Sequence, residues 1–196
     1  MTSTQILLDQ YLSMVRDESQ RQNLVSNKTL CDLYSHHAQD SIQLSKMICS
    51  GDVVADVGSG AGFPGIVVSI FAGAYTHLVE PRTKRAQFLR RVVETLRLPA
   101  TVHKSKVSAV DVPCDVVIAR GVGTIQWLLT NAQHLLHKKS RVLLIKSSDF
   151  AQEIDSAKAL TFSGGAVRQC DFKYSATPLE RGTGYIIELS EITYKA

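Results

Sequence analysis

Residues 53–66, with the sequence VVADVGSGAGFPGI, decide the fold of this 196-residue chain. A short apolar run from Val53 to Val57 gives way to alternating glycines, and a second apolar run extends from Ile66 to Phe71. This pattern predicts a β-strand, a tight turn and the start of an α-helix. Glycines allow positive φ and close approach of a ligand, and a helix N-terminus offers unpaired N–H groups. The stretch therefore predicts a ligand-binding turn.

The composition is that of an ordinary globular chain. Apolar residues make up 44% and charged residues 20% of the sequence, which argues against disorder. The net charge of +4 favours nucleic acid only if the basic residues cluster in space. The cysteines lack the spacing of a metal site, so we expect four reduced thiols and no metal. Without a signal peptide or a membrane-spanning run, the protein is expected to be cytoplasmic.

Helical periodicity alone marks residues 1–50, and β-rich runs alternate with helical ones from residue 51 onward. The resulting α/β fold is expected to be a doubly wound, mostly parallel sheet of seven strands with helices on both faces. Residues 1–50 are expected to form a helical extension packed on a main domain of residues 51–196, because so short a segment cannot hold its own core. Strands are predicted at 52–57, 75–80, 100–103, 115–119, 141–145, 166–172 and 184–189. Helices are predicted at 4–22, within 27–49, and at 64–71, 83–96, 124–136 and about 150–160.

Charged residues at three strand ends indicate which ligand the turn binds, because ligands of such sheets lie beyond the carboxyl ends of the strands. Glu80 closes the second strand, where it can accept hydrogen bonds from the ribose of any nucleoside cofactor. Asp56 would repel a pyrophosphate but attract the ammonium and sulfonium groups of S-adenosylmethionine. Residues 60–65 also fit the dinucleotide pattern G-x-G-x-x-G, so an NAD-dependent oxidoreductase is the alternative. We find no hydride-transfer residue for it.

The loop and three further stretches resemble the RsmG (GidB) family, bacterial methyltransferases that modify a guanine N7 in small-subunit ribosomal RNA. The extension Phe63-Pro64-Gly65 after the glycines is unusual among methyltransferases. The other matching stretches are Asn23–Ser26 with His37–Ser41, Lys84–Arg90, and Val117–Arg120 with Leu144–Lys146. The resemblance covers roughly residues 23–146. It implies the class I methyltransferase Rossmann-like fold, S-adenosylmethionine as the cofactor, and ribosomal RNA or the small ribosomal subunit as the partner.

The strand ends and the resemblance together define two predicted sets of site residues. The set predicted to bind S-adenosylmethionine is Asp56, Gly58, Ser59, Gly60, Gly62, Phe63, Glu80, Lys106, Val107 and Arg120. The set predicted to bind the RNA substrate is Asn23, Ser26, His37, Asp40, Lys84, Arg85, Arg120 and Lys146. Two stretches depart from the family pattern, residues 105–109 and 121–123.

Four of these residues have specific expected roles. The forked donors of Arg120 can orient guanine or the donor carboxylate, and the alternative is a structural ion pair with Asp56 or Glu80. His37 and Asp40 are expected to share a helix face and to hydrogen-bond while bracing the cleft. Lys146 is expected to meet RNA phosphate, unless it is an exposed lysine without a role.

Methylation at guanine N7 needs no obligatory general base, because N7 is an exposed lone pair that loses no proton. Positioning should therefore dominate the rate enhancement. A patch of basic residues is expected to bind phosphate in a salt-sensitive manner, or else to be an ordinary solvated helix face. Its members are Arg82, Lys84, Arg85, Arg90, Arg91, Arg97, Lys104 and Lys106. A non-catalytic RNA-binding or ribosome-assembly protein with the same fold is the third alternative.

Overall fold

The computed structural model describes residues 2–161 and 167–195, without the side chains of residues 27, 28, 159–161, 167 and 168. A single eight-stranded sheet forms its centre. The strands are β1 (Val53–Val57), β2 (Tyr75–Val79), β3 (Ala100–His103), β4 (Cys114–Arg120), β5 (Leu136–Lys146), β6 (Ala159–Thr161), β7 (Val167–Pro178) and β8 (Tyr185–Lys195). Their order is β3-β2-β1-β4-β5-β8-β7-β6. The first five in this order pair in parallel, and the last three are joined by antiparallel pairing.

Helices cover both faces of the sheet, which confirms the predicted fold class. They are α1 (Ser3–Ser19), α2 (Asn27–Leu30), α3 (Gln39–Ser45), α4 (Gly65–Phe71), α5 (Thr83–Leu96), α6 (Ile125–Ala132) and α7 (Phe150–Ser156). A π-helical turn, Tyr34–Ala38, precedes α3. Side chains alternate along the central strands, so that Val54 packs with α3 and α4 while Ala55 packs with α6. Asp56 therefore points to the α4 side of the sheet.

The amphipathic helix α1 shares a hydrophobic core with α4 and α5. Leu8 and Tyr11 are fully buried in one cluster with Ile66 of α4 and Leu89 of α5. The hydroxyl of Tyr11 donates a hydrogen bond to the carbonyl oxygen of Ala61 at 2.9 Å. The N-terminal segment thus contacts the glycine loop directly, through Tyr11.

All seven predicted strands overlap observed ones, although β5, β7 and β8 are longer than predicted and α1 ends at Ser19 instead of residue 22. Two further helices also end earlier than predicted. Helix α7 ends at Ser156, and an eighth strand, β6, follows where the helix was predicted to continue. The amide of Cys170 donates to the carbonyl of Lys158 at 2.8 Å, so pairing with β7 draws the chain out of the helix. Helix α6 ends at Ala132 because Leu136 already pairs with β4. Ala166, predicted to begin the next strand, lies outside the described residues.

Within residues 2–161 and 167–195, no helix is long and apolar enough to span a membrane.

Candidate functional site

The loop between β1 and α4 has the backbone that its glycines predict. Gly58, Gly60 and Gly62 adopt φ angles of +71°, +58° and +106°. A Cβ at Gly58 would lie 2.4 Å from Val122 Cγ2, so this position combines positive φ with a close neighbour. The amides of Gly58 and Ser59 both donate to the carbonyl of Val79, at 2.8 and 3.1 Å. The turn is therefore fixed on the end of β2 without a ligand.

The carboxyl of Asp56 lies beneath this loop and is only 1% exposed. One oxygen, Oδ2, accepts a hydrogen bond from the Gly65 amide at 3.2 Å, and the other, Oδ1, has no hydrogen-bond partner. The pKa of Asp56 is raised to about 7, mainly by burial and to a smaller extent by the nearby Glu80, against the lowering effect of hydrogen bonds. A buried acceptor without a partner favours a nearby cation. Direct contact with a donor stays a prediction, because the carboxyl is covered by the loop.

Glu80 links the loop to the helix that follows β2. Its Oε2 accepts from the Gly60 amide at 3.0 Å and its Oε1 accepts from the Arg82 amide at 2.8 Å. A carboxylate at the N-terminus of α5 also interacts favourably with the helix dipole. The predicted ribose contact has to use the remaining lone pairs of these two oxygens.

A mainly apolar cavity of about 390 Å³ opens on one side of Gly58, and we name it the Val107 cavity. Gly58, Lys106 and Val107, three residues of the predicted donor set, line it. Trp127 of α6 also lines it, although the sequence did not suggest this residue. The ring of Trp127 lies over Gly123, where a Cβ would be 3.3 Å from it, and its side chain is 41% exposed. In the sequence, the available indication of this residue was a lone tryptophan in the first turn of α6.

A second cavity, of about 260 Å³, also has Gly58 in its lining, and we name it the Arg120 cavity. Its lining brings together six more of the predicted residues: His37, Ser59, Gly60, Phe63, Arg85 and Arg120. Because Gly58 lines both cavities, a single extended ligand can occupy them together.

A third cavity, of about 310 Å³, continues outward from the Arg120 cavity, and we name it the Asn23 cavity. Asn23 and Ser26, both predicted to bind RNA, line it. It shares Leu24, Val25 and Arg85 with the Arg120 cavity. The guanidinium of Arg85 donates to the carbonyl of Asn23 at 3.3 Å, which ties α5 to the N-terminal segment.

The guanidinium of Arg120 is held by the N-terminal segment. It donates to the carbonyls of His36 and His37, at 2.6 and 3.4 Å. It also lies 3.4 Å from Asp40 Oδ2, an ion pair without hydrogen-bond geometry. The structure therefore corrects the expected alternative, since the ion-pair partner of Arg120 is Asp40 and neither Asp56 nor Glu80.

His37 contacts the Phe-Pro-Gly extension instead of Asp40. Its ring stacks on Phe63 with centroids 5.0 Å apart, and its Nε2 hydrogen-bonds Thr29 Oγ1 at 3.1 Å. The predicted hydrogen bond to Asp40 is wrong, because the π-helical turn breaks the α-helical spacing and Asp40 binds arginines. Burial, with the charge of Arg120 next in size, lowers the pKa of His37 to about 4, so the ring is neutral at neutral pH.

Asp40 and Lys146, both predicted to bind RNA, lie outside the lining of these three cavities. Asp40 is 1% exposed, so direct contact with substrate does not fit its position. Lys146 pairs with Glu153 Oε2 at 2.7 Å and donates to the carbonyl of Gly123 at 2.9 Å. Its side chain is 15% exposed, so it is not the roleless exposed lysine of the alternative. A phosphate contact stays a prediction and would require breaking this ion pair.

The residues of the predicted basic patch lie on α5 and in the segments that precede and follow α5 and follow β3. Lys84 is exposed but lines none of the three cavities, and Arg91 pairs with Glu18 at 2.5 Å. The other exposed members are Arg82, Arg90, Arg97, Lys104 and Lys106. Within the described part of the chain, no group of three or more His, Cys, Asp or Glu residues could hold a metal ion.

Comparison with known proteins gives concordant matches. The chain matches the family model GidB, rRNA small subunit methyltransferase G, over residues 4–177. The ribosomal RNA small subunit methyltransferase G of Bradyrhizobium diazoefficiens is 30% identical over 195 residues, which cover 95% of this chain and 72% of that protein. The protein of the same name from Rhodospirillum centenum is 33% identical over 184 residues, covering 93% of this chain and 82% of that protein.

Solved structures share the fold at low sequence identity. A mutant of MtNAS in complex with S-adenosylmethionine superposes with a TM-score of 0.64 at 14% identity, covering 95% of this chain and 75% of that chain. An S-adenosylmethionine-dependent methyltransferase from Aquifex aeolicus superposes with a TM-score of 0.61 at 14% identity, covering 86% of this chain and 96% of that chain. At these identities the likeness concerns the fold alone.

Proposed function

Because this chain belongs to the rRNA small subunit methyltransferase G family, we propose that it transfers a methyl group from S-adenosylmethionine to N7 of a guanine in small-subunit ribosomal RNA. Membership confirms the predicted family, the enzyme class and the cofactor. It also leaves the NAD-dependent alternative without support. The observation that carries the proposal is the meeting of two cavities of different chemistry at Gly58.

The two cavities fit the two ends of the proposed donor. The Val107 cavity offers apolar walls and the Trp127 ring, which suit a flat nucleobase. The Arg120 cavity offers a guanidinium, which suits the donor carboxylate or guanine O6. The Asp56 oxygen without a hydrogen-bond partner, Oδ1, contributes negative electrostatic potential beneath the glycine loop. S-adenosylmethionine, when bound, supplies a methyl group already activated by the adjacent positive charge.

The residues around the Arg120 cavity hold the acceptor without removing a proton. His37 is a weak base here, since the pKa of its ring is lowered to about 4. This agrees with a reaction at N7, where no general base is obligatory. Arg120 is proposed to orient the guanine, and the ring pair of His37 and Phe63 excludes water from one wall.

The RNA is proposed to approach along the Asn23 cavity and the exposed face of α5. Arg85 lies between the Asn23 and Arg120 cavities, and the cations of α5 extend outward from it. Binding of this kind weakens steeply with salt. In this proposal residues 1–50 are an extension that forms one wall of the RNA cleft. The partner is ribosomal RNA, free or within the small subunit, which places the protein in the cytoplasm.

The decisive experiment uses methyl-labelled donor with small-subunit RNA and with intact small subunits from a strain lacking this methylation. The expected result is label on one guanine, in a product that base-specific cleavage assigns to N7. Tight NAD binding without donor binding would instead support an oxidoreductase. Donor binding without transfer to either substrate would support the non-catalytic alternative. Asp56→Asn should weaken donor binding more than RNA binding, whereas equal loss of both would indicate misfolding.

A further inference from the structure

The carboxylate of Asp40 lies between two arginines that are far apart in the sequence. Its Oδ1 accepts a hydrogen bond from Arg181 Nε at 2.7 Å, and its Oδ2 is 3.4 Å from Arg120 Nη2. Arg120 lines the Arg120 cavity, whereas Arg181 is not among the described residues that do so. A buried carboxylate is costly unless its charge is matched closely. The location of the Arg120 guanidinium is therefore coupled, through Asp40, to that of Arg181.

The turn between β7 and β8 that carries Arg181 is fixed on α3. The side chain of Gln43 donates to the Pro178 carbonyl at 2.8 Å and accepts from the Glu180 amide at 2.8 Å. Leu179 of the same turn is buried in a cluster with Leu44. The two hydrogen bonds of the Gln43 side chain and the buried Leu179 thus fix the backbone of the turn from which the Arg181 side chain extends.

The charge of Arg181 also reaches the cavity wall. Burial is the largest cause of the lowered pKa of Arg120, Asp40 opposes it, and the charge of Arg181 adds a smaller lowering. Without Arg181, the Asp40 carboxylate would have Arg120 as its one cationic neighbour among the described ion pairs. The Arg120 guanidinium would then be drawn toward Oδ1 and away from the cavity.

We propose that Arg181 is a positioning residue for methyl transfer, which acts through Asp40 to hold the guanidinium of Arg120 at the wall of the Arg120 cavity. Arg181 itself touches neither donor nor guanine in this arrangement. The inference rests on the proposed function, since that function gives Arg120 its role in transfer.

The test compares Arg181→Gln and Arg181→Lys with a matched control in the same turn. Glu180 pairs at 3.2 Å with Lys46, which directly follows α3, so Glu180→Gln loosens the same two elements without touching Asp40. Steady-state kcat, the KM for RNA and the equilibrium Kd for donor are measured for each variant, together with the thermal unfolding midpoint. We expect Arg181→Gln to lower kcat on the order of ten-fold while the Kd and the unfolding midpoint stay near those of Glu180→Gln. Arg181→Lys keeps the charge and should recover most of the activity.

A double variant asks whether the effect passes through Asp40. In an Asp40→Asn background, Arg181→Gln should lower kcat much less than in the wild-type background, because the link is already broken. Equal loss in both backgrounds, or a loss no larger than that of Glu180→Gln, would overturn the inference. If Arg181→Gln fails to fold, an Arg181→Lys variant that folds but loses activity as strongly as Asp40→Asn would also overturn it. Absence of transfer by the wild-type protein would instead contradict the proposed function.

Discussion

The Val107 and Arg120 cavities meet at Gly58, yet they are built in different ways. The Val107 cavity consists of strand ends and short loops of the sheet, such as Val57, Val79 and Val107. The Arg120 cavity is completed by Leu24, Val25 and His37 from the N-terminal segment, and its arginine is held by one ion pair and two carbonyls of that segment. The Val107 cavity thus follows from the arrangement of the sheet and the loops next to it. Packing between distant segments produces the Arg120 cavity.

The largest effect is expected at the residue that both cavities share. Gly58→Ala would place a Cβ 2.4 Å from Val122 Cγ2 at a φ of +71°, which disturbs both cavities. Strain of ~1–3 kcal/mol corresponds to donor binding weakened roughly 10–100-fold, as isothermal titration calorimetry would measure. Gly73→Ala is the matched control, since its φ is +64° and no atom lies within 4 Å of the added Cβ. Equal binding loss in both variants would contradict a special role of Gly58.

The next largest effect is expected at Arg120, which lines the Arg120 cavity but not the Val107 cavity. Arg120→Lys keeps the charge but loses the forked donors, so kcat for methyl transfer should fall by ~10–100-fold while the donor Kd changes only a few-fold. Single-turnover and binding assays measure the two quantities. Arg141→Lys is the control, because Arg141 is also half-buried and paired with two carboxylates, Asp52 and Glu188, but lines neither cavity. A variant in which donor affinity and kcat fall together would remove the distinction between the cavities.

The opposite pattern is expected for Trp127, the single tryptophan of the sequence. Trp127→Ala should raise the donor Kd roughly ten-fold with little change in kcat, since stacking of a base on an aromatic ring contributes ~1–3 kcal/mol. In the wild-type protein, donor binding should change the fluorescence of this one indole. Tyr174→Ala, which removes another exposed aromatic ring, should leave the donor Kd unchanged. Unaltered fluorescence at saturating donor would exclude Trp127 from the site.

The smallest effect is the pH dependence of stability at Asp56, beneath the loop. The pKa of this carboxyl is raised from 3.8 to about 7, so the folded protein keeps a proton that the unfolded chain loses between these values. Its contribution therefore favours the fold at low pH and is lost as pH rises through that window. Asp56→Asn should gain stability relative to wild type as the pH rises from 3.8 to about 7, as measured by urea denaturation. A difference independent of pH would mean that the carboxyl is ionised throughout.

Local sequence patterns predicted the Val107 side of the site because its elements are short and contiguous. The order of strand, glycine turn and helix start in residues 53–71 is set by neighbouring residues. Parallel strands end at one edge of the sheet, which placed Glu80 and Arg120 near Gly58 without knowledge of packing.

Contacts between distant residues could not be predicted in the same way. The hydroxyl of Tyr11 reaches Ala61 across 50 positions, and Arg181 reaches Asp40 across 141. Nothing in the local sequence indicates either contact. The expected pairing of His37 with Asp40 failed because the π-helical turn changes the helical spacing. The direction of the Asp56 side chain, on which the predicted donor contact depends, is set by how α4 packs over β1.

The proposal that one donor molecule occupies both cavities is tested most directly by a crystal structure of the protein with S-adenosylhomocysteine, the demethylated form of the donor. The predicted result has the adenine in the Val107 cavity against Trp127, the sulfur beside Gly58 and the amino-acid end in the Arg120 cavity. An adenine in the Arg120 cavity, or a ligand bound outside both cavities, would contradict the account.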